Sequence, residues 1–209
     1  MQLNKNLSEL IGAIIGNGNI YDGKRTKYVE ITGNSIQDRT YFNGRLDSII
    51  SSELGYTPRI YIRGNAIRLR INKRSFVRYL KVIGMPIGKG KSLIVKIPCS
   101  IAKRWDLARN CIRGIFDTDG SVYFDKRHVY ATPYPRMDLH LNNLGLVYQI
   151  YDMLSSHGFN PRISTKKGSL YLNGVNEIMH YLNTIDFSNY KHLAKVKYLK
   201  VDNYVPVPR

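Results

Sequence analysis

The chain has 209 residues, with 32 Lys and Arg against 15 Asp and Glu, and a formal net charge of +17. Such an excess of positive charge repels itself in a folded protein unless a polyanion is the working partner, so nucleic acid is the predicted partner. The basic residues are spread along the whole chain, no apolar run is long enough to span a bilayer, and residues 1–8 lack a signal-peptide core, so we expect a soluble intracellular protein, cytoplasmic or organellar, with no membrane partner.

The first predicted element is a helix over residues 7–17, because its apolar residues recur at helical spacing. Its end lies in the segment 10–18 (LIGAIIGNG), which returns later in the chain as 112–120 (IRGIFDTDG). Each copy carries two small residues four positions apart, a spacing that lets two helix backbones approach closely. These small residues are Gly12, Gly16, Gly114 and Thr118. We therefore expect the two motif helices to pair, with Asn17 and Asp119 side by side at their C-terminal ends.

Matches outside the motif show that a larger unit is repeated. Tyr79-Leu80 returns as Tyr181-Leu182, 102 positions later, and the two motif copies are also 102 positions apart. Repetition at one offset indicates a duplicated unit of about 100 residues, an ordinary domain size. Prolines are expected to make the segment between the units stiff and extended. The predicted divisions are a first repeat at 1–85, a linker at 86–107 and a second repeat at 108–209.

The segments that follow each motif helix alternate apolar and polar residues, which is typical of half-buried strands. In the first repeat we predict strands at 27–32, 59–63 and 67–72, and helices at 36–54 and 74–83. In the second repeat we predict strands at 136–142, 162–166 and 169–173, and helices at 144–157 and 175–185. The predicted fold class is α+β, with two pseudo-symmetric αββαββα repeats forming a saddle of two antiparallel four-stranded sheets.

The polar residues of these strands would lie on the open face of each sheet, opposite the helices. The second hairpin of the first repeat carries four arginines and no acid, which favours nucleic-acid contact over a merely solvated face. A two-stranded ribbon fits the major groove, where Arg reads guanine and Asn reads adenine. The predicted DNA contacts of the first repeat are Tyr28, Glu30, Thr32, Asn34, Arg59, Tyr61, Arg63, Arg68, Arg70 and Asn72. Those of the second repeat are Arg136, Asp138, His140, Asn142, Arg162, Ser164, Lys166, Tyr171 and Asn173.

The two motif copies and the element order after them resemble the LAGLIDADG homing endonucleases in their single-chain, two-repeat, intron-encoded form. The resemblance covers roughly residues 7–200. GIFDTDGSV at 114–122 matches the second family motif, and 10–18 matches the first in every respect except the acid. The resemblance implies a monomer with pseudo-twofold symmetry that needs no protein partner. It also implies a site-specific double-strand cut in a long asymmetric DNA target, made by metal-dependent phosphodiester hydrolysis.

The resemblance further implies a catalytic centre at the ends of the motif helices. Asp119 would be the metal-binding carboxylate and Asn17 its counterpart, with the main-chain carbonyls of Gly16 and Thr118 as further ligands. Oxygen ligands suit Mg²⁺, for which Ca²⁺ or Mn²⁺ would substitute. Such an ion acidifies the attacking water and stabilises the leaving oxygen. A basic residue is implied near each scissile phosphate. The candidates are Lys89 or Lys91 and Lys191 or Lys195, although a phosphate-backbone or solvated lysine explains any one of them at least as well.

Asn17 departs from the family pattern. An amide oxygen ligates a metal without supplying charge, so we expect cleavage to be reduced or abolished. Three explanations compete: a natural chain with a degenerate first site, a natural nicking enzyme, and an Asp-to-Asn change introduced to hold uncleaved DNA. We favour the introduced change, because the motif around Asn17 is otherwise intact.

Other chemistries have weak support in the sequence. The five histidines show no clustered metal-ligand spacing, and two isolated cysteines are too few for a zinc site. Two function classes stay open beside the nuclease: an RNA-splicing maturase and a non-cleaving DNA-binding regulator on the same fold. Metal-dependent cutting of double-stranded DNA separates the nuclease from both.

Overall fold

Each half of the chain folds into a four-stranded antiparallel sheet, and the strands follow the same order in both. The computed structural model describes residues 1–88, 90–126 and 134–199. The first sheet contains β1 (Gly18–Asp22), β2 (Lys27–Asn34), β3 (Arg59–Arg63) and β4 (Ala66–Ile71), in the order β1-β2-β4-β3. The second sheet contains β5 (Gly120–Asp125), β6 (Tyr134–His140), β7 (Arg162–Ser164) and β8 (Ser169–Asn173), in the order β5-β6-β8-β7.

Helices flank both sheets and fill the segment between them. The first half has α1 (Lys5–Asn17), a π-helical segment (Tyr41–Leu46) that runs into α2 (Asp47–Leu54), and α3 (Arg74–Val82). In chain order, the segment between the two sheets contains α4 (Lys91–Ile94), α5 (Cys99–Ala102) and α6 (Trp105–Asp119). The second half continues with α7 (Leu144–Ser155), α8 (Val175–Thr184), α9 (Tyr190–Val196) and a 3₁₀ turn (Lys197–Leu199). The predicted α+β fold with two antiparallel four-stranded sheets is confirmed. Among the described residues, no helix has the length and apolar character needed to cross a membrane.

The two motif helices, α1 and α6, pack against each other through backbone contact at glycines. Gly12 of α1 lies against the main chain of Cys111, and Gly114 of α6 lies against the carbonyl oxygen of Glu9. A Cβ atom at either glycine would fall far inside van der Waals distance of that backbone oxygen. The predicted pairing of the motif helices is therefore confirmed, and it depends on residues without side chains at the crossing.

Each sheet buries its aliphatic face, as the alternation of residues predicted. Ile20, Val29, Ile31, Leu69 and Ile71 of the first sheet are fully buried. The fully buried residues of the second sheet are Val122, Met137, Leu139, Leu170 and Leu172. Burying apolar area at roughly 25 cal/mol per Å² makes this the main stabilising term, and it also sets which face of each strand points outward.

Several strands end earlier than the alternation predicted. β4 ends at Ile71 and β6 at His140, so the predicted contacts Asn72 and Asn142 lie just past strand ends. β7 stops at Ser164 because Thr165–Lys167 form a 3₁₀ turn, which places Lys166 off the sheet. Gly168 closes that turn with φ 59°, a left-handed conformation that favours glycine.

The helix predicted at 36–54 begins later. The side-chain oxygen of Asn34 accepts hydrogen bonds from the backbone N–H groups of Ile36 and Gln37, which holds a turn there instead of a helical start. The first strand of each sheet, β1 or β5, was predicted by the element order but without residue bounds, because each is a short segment directly after a motif helix.

The segment between the repeats is not the extended linker that its prolines predicted. It contains two short helices, and α6 begins at Trp105, inside the predicted linker. The side-chain amide of Gln149 on α7 bonds both the N–H and the carbonyl of Ile97, at 2.8 and 2.9 Å. The buried side chains of Val95 and Ile97 join the core. This segment is therefore held by packing against the second half.

We predict that Gly114→Ala destabilises the protein by about 3 kcal/mol, because the added methyl group meets helix backbone that cannot rotate away. Gly44→Ala is the matched control, since Gly44 lies in the π-helical segment with nothing within 4 Å of its added Cβ. It should be neutral or stabilising by up to about 1 kcal/mol. Urea unfolding of both variants measures the difference, and equal free energies of unfolding would contradict the helix contact.

Candidate functional site

The ends of α1 and α6 meet at the surface, where they place the two differing motif residues side by side. Asn17 is the last residue of α1 and Asp119 the last of α6. The Asn17 side-chain amide donates a hydrogen bond to the carbonyl oxygen of Thr118, at 3.3 Å. The predicted juxtaposition of the helix ends is confirmed, and it spans the two halves of the chain.

Asp119 lies in an electrostatic environment made by both halves. Burial raises the pKa of its carboxyl to about 6, while the charges of Lys91 and Lys191 act to lower it. One of these lysines precedes α6 in the chain and the other follows it on α9. The carboxylate is thus partly desolvated and flanked by two cations, an arrangement that can hold an additional charged ligand.

Lys91 is buried at the end of the first motif helix. Its ammonium donates to the carbonyl oxygens of Ile14 and Ile15, at 2.6 and 3.1 Å. These are among the last carbonyls of α1, where the helix dipole favours a cation. Burial nevertheless lowers the pKa of Lys91 to about 8, with Asp119 acting in the opposite direction.

Lys191 occupies the corresponding place at the second motif helix. Its ammonium lies 2.9 Å from a carboxylate oxygen of Asp38 and 3.5 Å from the carbonyl oxygen of Thr118. The acid partner belongs to the first half, so the second lysine is paired across the junction.

The structure therefore separates the four lysine candidates. Lys91 and Lys191 lie near Asp119. Lys195 is exposed, one helical turn further along α9, and Lys89 lies outside the described residues. Sequence position alone could not make this choice, because lysines occur throughout the chain.

A pocket of about 180 Å³ opens beside Asp119. His140 and Asn142, predicted as DNA contacts, line it from the end of β6, and Ser92 and Asn143 complete its polar lining. No local sequence pattern pointed to Ser92 or Asn143. Ser92 lies on α4 and Asn143 caps the start of α7, so only the tertiary fold brings them to the pocket.

The residues at the ends of the two motif helices, beside this pocket, fit one hard divalent cation. Asp119 offers a carboxylate, Asn17 an amide oxygen, and Gly16 and Thr118 main-chain carbonyls, all oxygen donors of the kind Mg²⁺ prefers. A Cβ at Gly16 would lie 3.2 Å from a carboxylate oxygen of Asp119, so a larger residue would crowd the donor set. In the part of the chain that the structure describes, no three His, Cys, Asp or Glu residues gather into a metal-binding group. Phosphate oxygens or water would have to complete the coordination.

The open face of the first sheet is built around a buried acid. Glu30 of β2 is 8% exposed, and the arginines Arg68 and Arg70 of β4 pair with it at 3.0 and 2.6 Å. The Tyr61 hydroxyl donates to the same carboxylate at 2.8 Å. Although the hairpin itself contains no acid, the neighbouring strand therefore supplies one. Two of the four predicted arginines are held in place by an ion pair.

The strand register confirms that the predicted contacts share one face of the first sheet. Glu30 lies opposite Arg70, which lies opposite Arg59, and Thr32, Arg68 and Tyr61 form the next row. The Arg70 guanidinium stacks 4.3 Å above the ring centre of Tyr28, which in turn stacks on Tyr21 of β1 at 5.1 Å. Tyr21 and its neighbour Asn19 also lie on this face, but they were not among the predicted contacts because the first strand was predicted without residue bounds. Arg63 is exposed at the far end of β3.

The open face of the second sheet has fewer cations and more neutral groups. Its rows join Ser121, Asp138, Tyr171 and Arg162, then Tyr123, Arg136 and Asn173, then His140, Ser169 and Ser164. Arg136 lies 3.2 Å from Asp125, and burial raises the pKa of Asp138. Ser121 and Tyr123 share this face and were not among the predicted contacts.

Comparison with known protein families connects this geometry to one of them. A family model described as a LAGLIDADG-like domain matches residues 106–196. The chain carries a LAGLIDADG-like domain. The resemblance drawn from the two motif copies is thereby confirmed, and the two sheets with their paired motif helices are the LAGLIDADG fold.

Solved structures with this fold cover nearly the whole chain. I-DmoI in complex with DNA and Mn superimposes with a TM-score of 0.57 and 18% identity, over 88% of this chain and 97% of that one. The I-LtrWI LAGLIDADG homing endonuclease bound to target DNA superimposes with a TM-score of 0.54 and 9% identity. The match covers 94% of this chain and 93% of that one. Full-length DUF199/WhiA from Thermatoga maritima superimposes with a TM-score of 0.60 and 15% identity. The match covers 96% of this chain and 61% of that one.

One curated relative is much longer than this chain. The tRNA-splicing ligase RtcB of Pyrococcus abyssi is 27% identical over 177 residues, which cover 73% of this chain. The match spans only 19% of the ligase. The ligase's own activity therefore does not transfer to this chain.

Beneath Lys191, a histidine is buried where it cannot easily take a proton. His192 is 1% exposed, with its ring packed against Phe187. Burial and the charges of Lys191 and Lys195 lower the pKa of His192 to about 3. The unfolded chain binds a proton at this residue below pH about 6.5 and the folded chain does not, so stability falls as pH drops from about 6.5 towards 3.

We predict that His192→Gln removes this part of the acid sensitivity. Between pH 7 and pH 5 the free energy of unfolding should fall by about 2 kcal/mol less than in the parent chain. His180→Gln, at an exposed histidine, is the control and should keep the parent slope. Urea titrations at several pH values give the slopes, and an unchanged slope in His192→Gln would contradict the buried neutral imidazole.

Proposed function

We propose that this chain is a site-specific homing endonuclease for double-stranded DNA, working as a monomer on a long asymmetric target, in which Asn17 weakens metal-dependent cleavage. The observation that carries the proposal is the group at the helix ends: the Asp119 carboxylate, the Asn17 amide, the buried ammonium group of Lys91 and the partly buried ammonium group of Lys191. A carboxylate flanked by two cations is suited to phosphodiester hydrolysis, in which negative charge develops on phosphate oxygens.

The chain's own residues divide the chemistry between them. When bound, Mg²⁺ would acidify the attacking water and neutralise charge on the phosphate. Asp119 would hold the ion through its carboxylate, with Asn17, Gly16 and Thr118 offering neutral oxygens. The ammonium groups of Lys91 and Lys191 would stabilise the phosphate oxygens as the bond breaks, since each is already oriented by backbone or carboxylate acceptors. Mn²⁺ or Ca²⁺ would take the same oxygen donors.

Two properties of the Asn17 side chain support the proposal that cleavage is reduced. Its amide supplies no charge, and its N–H group already donates to the Thr118 carbonyl that would serve as a ligand. Of its three possible origins, an introduced Asp-to-Asn change remains our interpretation, because Gly16, Gly18 and the rest of the motif are intact.

The charge and the two sheet faces support DNA as the partner. I-DmoI and I-LtrWI, which share the fold, were solved on DNA, and a net charge of +17 suits the phosphate backbone. The aligned rows of Arg, Tyr, Asn and His side chains would read base edges in the major groove. Basic residues in the turns would contact phosphates without regard to sequence.

A non-cleaving DNA-binding regulator is the second candidate, and the neutral Asn17 is the observation that favours it. A splicing maturase on the same fold would be revealed by splicing of the host intron. Both alternatives predict no cut in double-stranded DNA with Mg²⁺, even when the first acid is restored.

We predict that Asn17→Asp raises the single-turnover cleavage rate of the cognate DNA at least tenfold with Mg²⁺, because a second carboxylate shares the metal's charge. Asp119→Asn in that background should abolish cutting, while gel-shift affinity in Ca²⁺ stays within about threefold. If Asn17→Asp cuts no faster than a parent chain that does cut, the role given to Asn17 fails; if neither chain cuts, the endonuclease proposal fails and the regulator is favoured.

We also predict that Glu30→Gln makes DNA binding tighter and less selective. Removing the acid frees Arg68 and Arg70 for two phosphates, so the slope of log affinity against log salt should steepen by about two. The ratio of cognate to random-sequence affinity should fall severalfold. Glu53→Gln is the control, since Glu53 bonds Asn4 and Asn6 away from the sheet face. Fluorescence anisotropy at several salt concentrations measures both quantities, and an unchanged slope would refute the role given to Glu30.

A further inference from the structure

The acid beside Lys191 belongs to the other half of the chain. Asp38 lies in the turn after β2 and is 6% exposed. One carboxylate oxygen accepts from the backbone N–H of Asn34 at 2.7 Å, which fixes the side chain to its own turn. The other oxygen lies 2.9 Å from the Lys191 ammonium. A buried acid rooted in the first repeat therefore reaches a lysine of the second repeat.

A buried asparagine completes this connection. The side-chain amide of Asn189 donates to Asp38 at 2.7 Å and to the Asp117 carbonyl at 2.9 Å. Its side-chain oxygen accepts from the backbone N–H of Lys191 at 3.2 Å. The start of α9 is thus bound to both halves at once, and Lys191 has little freedom to move along the surface.

The opposite side of the junction has a similar cross-connection without the charge. Asn143, in the turn after β6, donates its side-chain amide to the carbonyl of Val95 at 2.6 Å. Val95 directly follows α4, whose first residue is Lys91. Each lysine-bearing segment is therefore held by the turn after the second strand of the opposite repeat. Of these two turns, the one with Asp38 also contacts the lysine ammonium directly, through its carboxylate, whereas Asn143 contacts the backbone near Lys91.

We propose that Asp38 is the positioning residue for Lys191, so that the first repeat sets the lysine at the cleavage centre of the second motif. A lysine side chain has many rotamers, and an ion pair with a carboxylate that is itself anchored selects one of them. In that rotamer the ammonium lies 3.5 Å from the Thr118 carbonyl, next to Asp119. Lys91 is placed by backbone carbonyls instead, so the two lysines depend on different residues.

The pairing is tested first without any cleavage assay. Trace acetylation of the DNA-free protein, read by mass spectrometry, should label Lys191 at least fivefold faster in Asp38→Asn than in the parent chain, while Lys91 is unchanged. Asp22→Asn is the matched control, because Asp22 pairs with Lys27 and Lys81, and it should leave Lys191 unaffected. An unchanged rate at Lys191 in Asp38→Asn overturns the positioning role.

The consequence for catalysis rests on the proposed function and is measured in the Asn17→Asp background. Asp38→Asn should slow the cutting of one strand about tenfold, lowering kcat with little change in KM. In a chain that also carries Lys191→Met, Asp38→Asn should add less than a twofold loss. Equal losses with and without Lys191 would overturn the inference, because they would show a merely structural effect.

Two further results separate the causes of failure. Asp38→Glu keeps the charge and should recover part of the rate, which keeps the test valid if Asp38→Asn lowers the thermal midpoint. If Asp38→Glu folds but recovers none of the rate, loss of the negative charge is not the reason that Asp38→Asn cuts slowly. If Asn17→Asp cuts no DNA, the endonuclease proposal fails, while the acetylation result still decides the pairing of Asp38 with Lys191.

Discussion

The contact between α1 and α6 is the constraint on which the rest of the structure depends. Gly12 and Gly114 bring the two helix backbones together, each against a carbonyl oxygen of the other helix. Because the helices end at the same level, Asn17 and Asp119 are neighbours although 101 residues lie between them in sequence. Each sheet starts directly from a motif helix, at Gly18 and Gly120, so the same contact also determines how the two open faces are placed.

Buried charges restrict this helix pair to one arrangement. Glu9 of α1 is fully buried and accepts two hydrogen bonds from Arg45, while Arg113 of α6 lies 3.6 Å from it. Asp117 of α6 is fully buried and accepts backbone hydrogen bonds from the start of α9, and burial raises its pKa to about 8. Buried ionic groups contribute little net stability. They make other registers costly, because a shifted helix would leave a buried acidic side chain without its hydrogen-bond partners.

The two repeats share a fold and differ in their electrostatics. The first sheet carries a compact cluster of arginines around Glu30, and the second carries more neutral hydrogen-bonding groups. The helix ends differ in the same way, with an amide at Asn17 and a carboxylate at Asp119. Lys91 is placed by carbonyls and Lys191 by Asp38. A pseudo-symmetric chain can in this way present unequal halves to an asymmetric partner.

The sequence by itself determined the repeated unit, the motif helices, the alternation that buries one face of each sheet, and the side chains on most of the other face. These features depend on local periodicity and on small residues, which can be read within a few turns of chain. The tertiary structure alone decided that Lys91 and Lys191 lie beside Asp119, that Glu30 holds Arg68 and Arg70, and that Asp38 reaches Lys191. Each of these pairings joins residues that are distant in sequence, and no local pattern encodes which of many lysines or acids will meet. The residue bounds of β1 and β5, the turn at 35–38 and the folded segment between the repeats were not predicted for a related reason, because short elements are stabilised by contacts with neighbours more than by their own residues.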